Sequence, residues 1–162
     1  MKRSVGVLAL CLWSSVAAAQ PVQPVQIVHQ FTPSPSMPRG GLLQVPDGSF
    51  YGVTSDTIYR LATNGQVTVA ARLTDGVGAT GMLVAGAGGV LYGTAQWGGA
   101  SGQGTVFRFD PASGELSTLH AFTGLREGTS PFGGLALAGG QLYGVTRQTV
   151  FRTDPSLSLI HI

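Results

Sequence analysis

Short apolar runs broken by glycine turns recur along the chain, and three stretches repeat one order of hydrophobic and polar positions. Each holds a Gly-Leu pair or its Met-Leu equivalent, a small turn, Tyr-Gly with Thr close behind, and an aliphatic-aromatic-Arg triplet. The first copy is Gly41-Leu42, Tyr51-Gly52-Val53-Thr54 and Ile58-Tyr59-Arg60. The second is Gly81-Met82-Leu83, Tyr92-Gly93-Thr94 and Val106-Phe107-Arg108, and the third is Gly134-Leu135, Tyr143-Gly144-Val145-Thr146 and Val150-Phe151-Arg152. Apolar runs of this length between turn residues predict strands. Each unit reads as an A strand (41–45, 81–85, 134–138), a B strand (49–54, 90–94, 141–146) and a C strand (57–62, 105–110, 149–153), with D strands at 67–73 and 116–122. Asp47-Gly48, Gly88-Gly89 and Gly139-Gly140 fall between A and B, where tight hairpins favour Gly and Asp at positive φ. A further D-like run, Val25 to Phe31, parallels Leu116 to Phe122 and puts His29 in register with His120.

Repetition of a strand-rich unit means that each copy buries its faces against its neighbours. The repeat tyrosines lie 41 and 51 residues apart, which brackets the roughly 40 to 50 residues of a propeller blade. Most of the difference sits in one loop: Tyr to the triplet aromatic is 8 residues in copies one and three and 15 in copy two. The expected fold is all-β, a partial, truncated β-propeller of about three four-stranded blades spanning 25–155, because a closed ring takes roughly four to eight. Its parts are the lone D strand 25–31, unit one 40–73, unit two 80–122 and an incomplete unit three 133–154. Such a fragment is expected to leave a blade face uncovered, its missing C-terminal blades being the natural partners.

Composition agrees, with 25 glycines and 9 prolines against nine Lys/Arg and seven Asp/Glu, a balance that disfavours helical domains. Residues 1–19 read as a secretory signal peptide. Lys2 and Arg3 precede an apolar run too short to span a bilayer, and Ala17-Ala18-Ala19 offers a small-residue cleavage site. Residues 20–24 then form a linker. Removing the signal takes both of its cations and leaves seven of each sign, so the basic balance does not point to nucleic acid. It also takes Cys11, the one cysteine; Leu10 before it lacks the small side chain that a lipoprotein signal requires. Residues 157–162 match no strand of the repeat, read like a translated sequencing-library adapter, and are expected to be a non-native tail.

The succession Leu91-Tyr92-Gly93-Thr94, Gly98-Gly99, Gly104-Thr105-Val106-Phe107 and Leu119-His120-Ala121-Phe122 resembles the GloVer tandem repeats of secreted bacterial proteins, called choice-of-anchor after their varied C-terminal sorting signals. The resemblance runs over about Val25 to Pro155 and implies a β-propeller-like fold and export, with no assigned activity, catalytic residue, metal or cofactor. Departures are Ala79 where the family often has Pro, Arg72 in place of the D-strand His, and no Gly-Gly loop in copies one and three.

Few residues suggest chemistry. His29 and His120 occupy matching positions of separate units, which favours a strand role over a shared centre. Asp75-Gly76 and Glu127-Gly128 recur in the connection from D to A, on one rim; acids there suit a cation or sugar, or simply a solvated turn. Trp97, in the long loop 95–104 of copy two, could stack on a glycan, anchor a partner protein, or fold back as an apolar lid. Arg60, Arg108 and Arg152 form a third repeated set, facing either an anion or neighbouring aromatic rings. The remaining repeat residues, Tyr51, Gly52, Tyr92, Gly93, Tyr143, Gly144, Tyr59, Phe107 and Phe151, are framework. The expectation is an exported binding module, non-enzymatic and working through rim loops. The alternatives are a piece of a lactonase-like propeller hydrolase or lyase with its catalytic residues elsewhere, and a purely structural surface array. The A strands argue against the enzyme, since Leu43, Gln44, Val84 and Leu137 bring no acid or imidazole towards a channel.

Overall fold

Each repeat folds into its own antiparallel sheet. The computed structural model describes residues 26–31, 37–155 and 160–161. Sheet one runs β1 (Arg39–Gln44), β2 (Phe50–Val53), β3 (Thr57–Leu61), β4 (Val67–Arg72), in that order. In sheet two β5 (Gly76–Ala79) and β6 (Val84–Ala85) both pair with β7 (Leu91–Gly98), followed by β8 (Thr105–Phe109) and β9 (Leu116–Ala121). Sheet three runs β10 (Ala136–Ala138), β11 (Gln141–Val145), β12 (Val150–Thr153), β13 (Ile160–His161). The three sheets form an all-β, propeller-like array and do not close into a ring among the described residues.

The repeat motif has a physical reading in the B and C strands. Cross-strand pairs set Gly52 opposite Tyr59, Gly93 opposite Phe107 and Gly144 opposite Phe151. A side chain on any of these glycines would strike the facing ring, and also Leu42 of β1, Leu83 just before β6 or Leu135 just before β10. The aromatic ring thus lies across its glycine, a pairing known to stabilise sheets. On the other face Tyr51, Tyr92 and Tyr143 stand opposite Arg60, Arg108 and Arg152. The D strands carry a bulge at one repeat position, between Ile58 and Tyr59 of β3 and between Val106 and Phe107 of β8. Its recurrence makes it part of the unit.

The core lies between sheets. Tyr51, Val53 and Ile58 of sheet one meet Leu83, Leu91, Phe107 and Phe109 of sheet two. Across the next junction Tyr92 faces Leu142, and Phe122 meets Phe151 edge-on at 5.1 Å. A buried phenylalanine of this kind contributes about 1.5–3 kcal/mol. Nearer the centre the backbones themselves touch. A Cβ on Gly40 would come within 2.8 Å of the Gly81 carbonyl carbon, and one on Gly81 would overlap the Gly133 carbonyl.

Several elements differ from the sequence-based expectation. Residues 26–31 take no strand pairing, yet Phe31 packs edge-on against Tyr59 at 5.0 Å, the seat that Phe122 occupies on Phe151. Val25 lies outside the described residues, as do the signal segment and linker. Of the A strand expected at 81–85 only β6 pairs, and an unexpected strand, β5, precedes it in the connection from D to A and recruits part of the supposed loop 95–104 by pairing Gly76 with Gly98, Val77 with Trp97 and Ala79 with Ala95. Ile160–His161 pair with Arg152 and Phe151, in the outer position that β4 and β9 hold elsewhere.

Candidate functional site

Trp97 sits at the end of strand β7 rather than on a free loop. Its ring lies against Gly78 of β5, where a Cβ would collide with it, and the side chain remains 48% exposed. It therefore covers the connection from sheet one to sheet two with one part of the ring and meets solvent with the rest. Asp75 immediately precedes β5, and its carbonyl accepts the Gly99 N–H at 2.9 Å.

The two repeated acids are both tied to β9. Thr118 donates its hydroxyl to Asp75 at 2.8 Å, and His120 Nε2 lies 3.2 Å from Glu127, which also accepts the Thr123 N–H at 3.0 Å. Partial burial pushes the Glu127 carboxyl up. The hydrogen bonds from Thr123 and the neighbouring His120 outweigh it, so Glu127 titrates below the usual range. Thr118 and His120 flank Leu119, the extra residue of the bulge in β9. Glu127 further borders a shallow recess of about 610 Å³ with Thr123, Leu125 and Arg126. His29 is elsewhere, edge-on to Phe31 at 4.8 Å, repeating the contact of His120 with Phe122 at 5.0 Å. Among the described residues no three His, Cys, Asp or Glu side chains are grouped so as to hold a metal ion.

The arginine set is mostly neutralised at the opposite rim. Arg60 donates to Asp47 at 2.9 Å and to Ser49 Oγ at 3.1 Å, while Arg108 reaches Asp110 at 3.4 Å. Arg152 Nε is buried without a hydrogen-bond partner. Hydrogen bonds from the Ser49 hydroxyl, the Ser49 N–H and Arg60 hold Asp47 down at about 2. Burial keeps the Tyr51 hydroxyl protonated, with its pKa raised.

Around these pairs the structure builds a site that no sequence motif marks. A recess of about 480 Å³ between sheets one and two is lined by Asp47, Tyr51 and Arg60 on one side and Gly88, Gly89, Asp110 and Pro111 on the other. Between sheets two and three a recess of about 350 Å³ has Gly86, Ala87 and Tyr92 facing Leu137, Gly140, Asp154 and Pro155. Both join the A–B turn and tyrosine of one sheet to the glycine turn and Asp-Pro of the next. The recurring Asp-Pro at 110–111 and 154–155 was the available signal.

Thr54 and Thr146 close the turn from B to C, accepting the N–H of Thr57 at 3.0 Å and of Thr149 at 2.9 Å. Thr94, grouped with them by sequence, stands instead at the position of Val53 and donates to the Gly133 carbonyl at 3.1 Å across the sheet junction. Copy two has Ala95 where the turn threonine would be, and its strand runs on.

Comparison with known proteins places this geometry. The sequence pattern of the Gloeobacter/Verrucomicrobia repeat matches residues 16–159. Virginiamycin B lyase from Staphylococcus aureus superposes with a TM-score of 0.57 at 12% identity, over 79% of this chain and 41% of that one. The extracellular domain of a protein described as a one-component system from B. thetaiotaomicron gives 0.54 at 16% identity, over 77% of this chain and 16% of that one. Both are β-propeller proteins, and the chain spans less than half the length of either. No curated protein matches by sequence. At these identities the structural likeness speaks for the fold alone, whereas the repeat pattern spans nearly the whole sequence, and so the chain belongs to the Gloeobacter/Verrucomicrobia repeat family.

Proposed function

We propose that the chain is an exported, non-enzymatic binding module that takes a glycan in the recesses between neighbouring sheets. The observation that carries this reading is the recess built twice from corresponding parts, with Tyr51 or Tyr92 on one wall and Asp110-Pro111 or Asp154-Pro155 on the other. Carboxylates and guanidinium groups beside a shallow, partly apolar wall offer acceptors and donors to vicinal hydroxyls, and the apolar surface suits the CH face of a sugar ring. Repetition along the rim suits a polymer with repeating units, because linked subsites add avidity. The signal-like sequence of residues 1–19 supports export, and no helix among the described residues is long and apolar enough to cross a membrane. The rim of Trp97, Asp75 and Glu127 is the second place where a glycan or partner protein could engage.

An oligosaccharide array followed by calorimetry with the best-bound oligosaccharide tests the proposal. Binding is expected, with Arg60→Ala and Asp110→Ala each weakening it by about tenfold or more, the scale of a lost hydrogen bond to a charged group. Failure to bind any oligosaccharide, or a metal-dependent turnover of lactone substrates, overturns it.

A further inference from the structure

The two recesses differ in how their charges are matched. The Val45 N–H donates to the Ser49 carbonyl and the Gly86 N–H to the Val90 carbonyl, so the A–B turns of sheets one and two correspond residue by residue, and Gly88 stands where sheet one has Asp47. Asp47 thus belongs to the recess between sheets one and two and has no counterpart in the next. Ser49 fixes its Oδ1 through a hydroxyl at 2.6 Å and an N–H at 2.9 Å, and Arg60 holds its Oδ2 at 2.9 Å. With no such acid in its own turn, Arg108 reaches Asp110 at 3.4 Å, and Asp110 lines the same recess from the other side.

Both walls of this recess therefore present a carboxylate already matched by a guanidinium. Its charged lining groups are Asp47, Arg60 and Asp110, and Arg108 balances the last of them. Each pair keeps contact with solvent, with side chains 39% and 56% exposed for Arg60 and Asp47 and 27% and 24% exposed for Arg108 and Asp110. A neutral polar ligand can hydrogen-bond to their outer edges without breaking either pair, since a carboxylate has several acceptor sites and a guanidinium further donors. A charged ligand finds no unmatched counter-ion there and gives up hydration on entering. The recess between sheets two and three has no equivalent pair on its lining: Gly86, Ala87, Leu137 and Pro155 make up much of it, with Asp154 as its charged group.

We propose that the recess between sheets one and two takes an uncharged sugar unit and discriminates against uronic acids and amino sugars, the two matched pairs serving as the filter. This rests on the glycan-binding reading above and narrows its ligand class to neutral glycans. The discrimination comes from the counter-ion that the wrong ligand lacks rather than from a contact that the right one gains. Removing one member of a pair must then change the preference with a sign set by the member left behind. Ser49 keeps Asp47 ionised when Arg60 is gone, and Arg60 stays charged without Asp47 because a guanidinium does not lose its proton in water.

Calorimetry on the full chain with neutral, uronate and free-amine glucosamine oligosaccharides of equal length tests this. The unaltered chain is expected to bind a neutral oligomer at least about tenfold more tightly than either charged one, with an affinity that changes less than about twofold between ~20 mM and ~500 mM salt. Arg60→Gln leaves Asp47 unmatched and should raise the ratio of glucosamine to neutral affinity about tenfold, while Asp47→Asn leaves Arg60 unmatched and should raise the uronate ratio by about as much. Both shifts should shrink in ~500 mM salt, because the pairs face solvent. Asp110→Asn, which unmatches Arg108, should repeat the uronate shift and stands in should circular dichroism show that either first variant has lost its fold. Tightest binding of a charged oligosaccharide, or variants whose preference does not move, would overturn the charge filter and leave glycan binding standing. Binding of none of the three classes would overturn the glycan reading itself, and this inference with it.

Discussion

Asp47 is held ionised by short contacts at an exposed position, where burial has almost no part. Ser49 supplies its hydroxyl at 2.6 Å and its N–H at 2.9 Å, and Arg60 adds a charged donor. A carboxylate with a folded pKa of about 2 against an ordinary 3.8 stabilises the fold above the ordinary value, and that contribution fades as the pH falls towards 2. Carboxyl NMR titration should find the Asp47 midpoint near 2, and Ser49→Ala should move it back towards the ordinary value. An unmoved midpoint would remove Ser49 as the cause. At this scale the sequence was partly legible. The repeated arginines stood out, but their neutralisation did not, because Asp47 read as an ordinary turn residue and Asp110 as the end of a strand until the fold placed them beside Arg60 and Arg108. Trp97 and Asp75 were singled out as parts of loops, and the pairing that puts them on or beside a strand edge depends on β5.

Among elements, the B and C strands were the most readable, since glycine opposite an aromatic residue constrains both sequence and register. Gly93→Ala and Gly144→Ala push a methyl group into Phe107 and Phe151. Each should destabilise the fold by about 1–3 kcal/mol through overpacking, measured by urea unfolding. A loss below about 0.5 kcal/mol, typical of a surface change, would show that the rings yield freely. β5 escaped notice because Gly76-Val77-Gly78-Ala79 has neither alternation nor β-branched bulk beyond one valine. Its strand character comes from the edge that β7 offers after Thr94. The run 26–31 failed in the opposite sense: its pattern is that of a strand, and Phe31 finds its seat, but no neighbouring strand pairs with it.

For the molecule as a whole, order should be graded from sheet to sheet. Sheet two is covered on both faces, by Tyr51 and Ile58 on one side and Leu142 and Phe151 on the other. In repeat arrays the stability of a unit depends on its nearest neighbours. Hydrogen exchange should find β7 and β8 slowest and β12 faster. Uniform protection would contradict a stack of separable sheets. The array itself was legible from the spacing of the tyrosines; the recesses were not, because each belongs to two units at once. The contacts among Gly40, Gly81 and Gly133 carry one more consequence. Since main chain meets main chain there, no side chain acts as a spacer, and the bend from one unit to the next is inherited by any tandem duplication that keeps the leading glycine. A lineage could lengthen such an array, or diversify its outer surfaces, without having to rediscover its curvature.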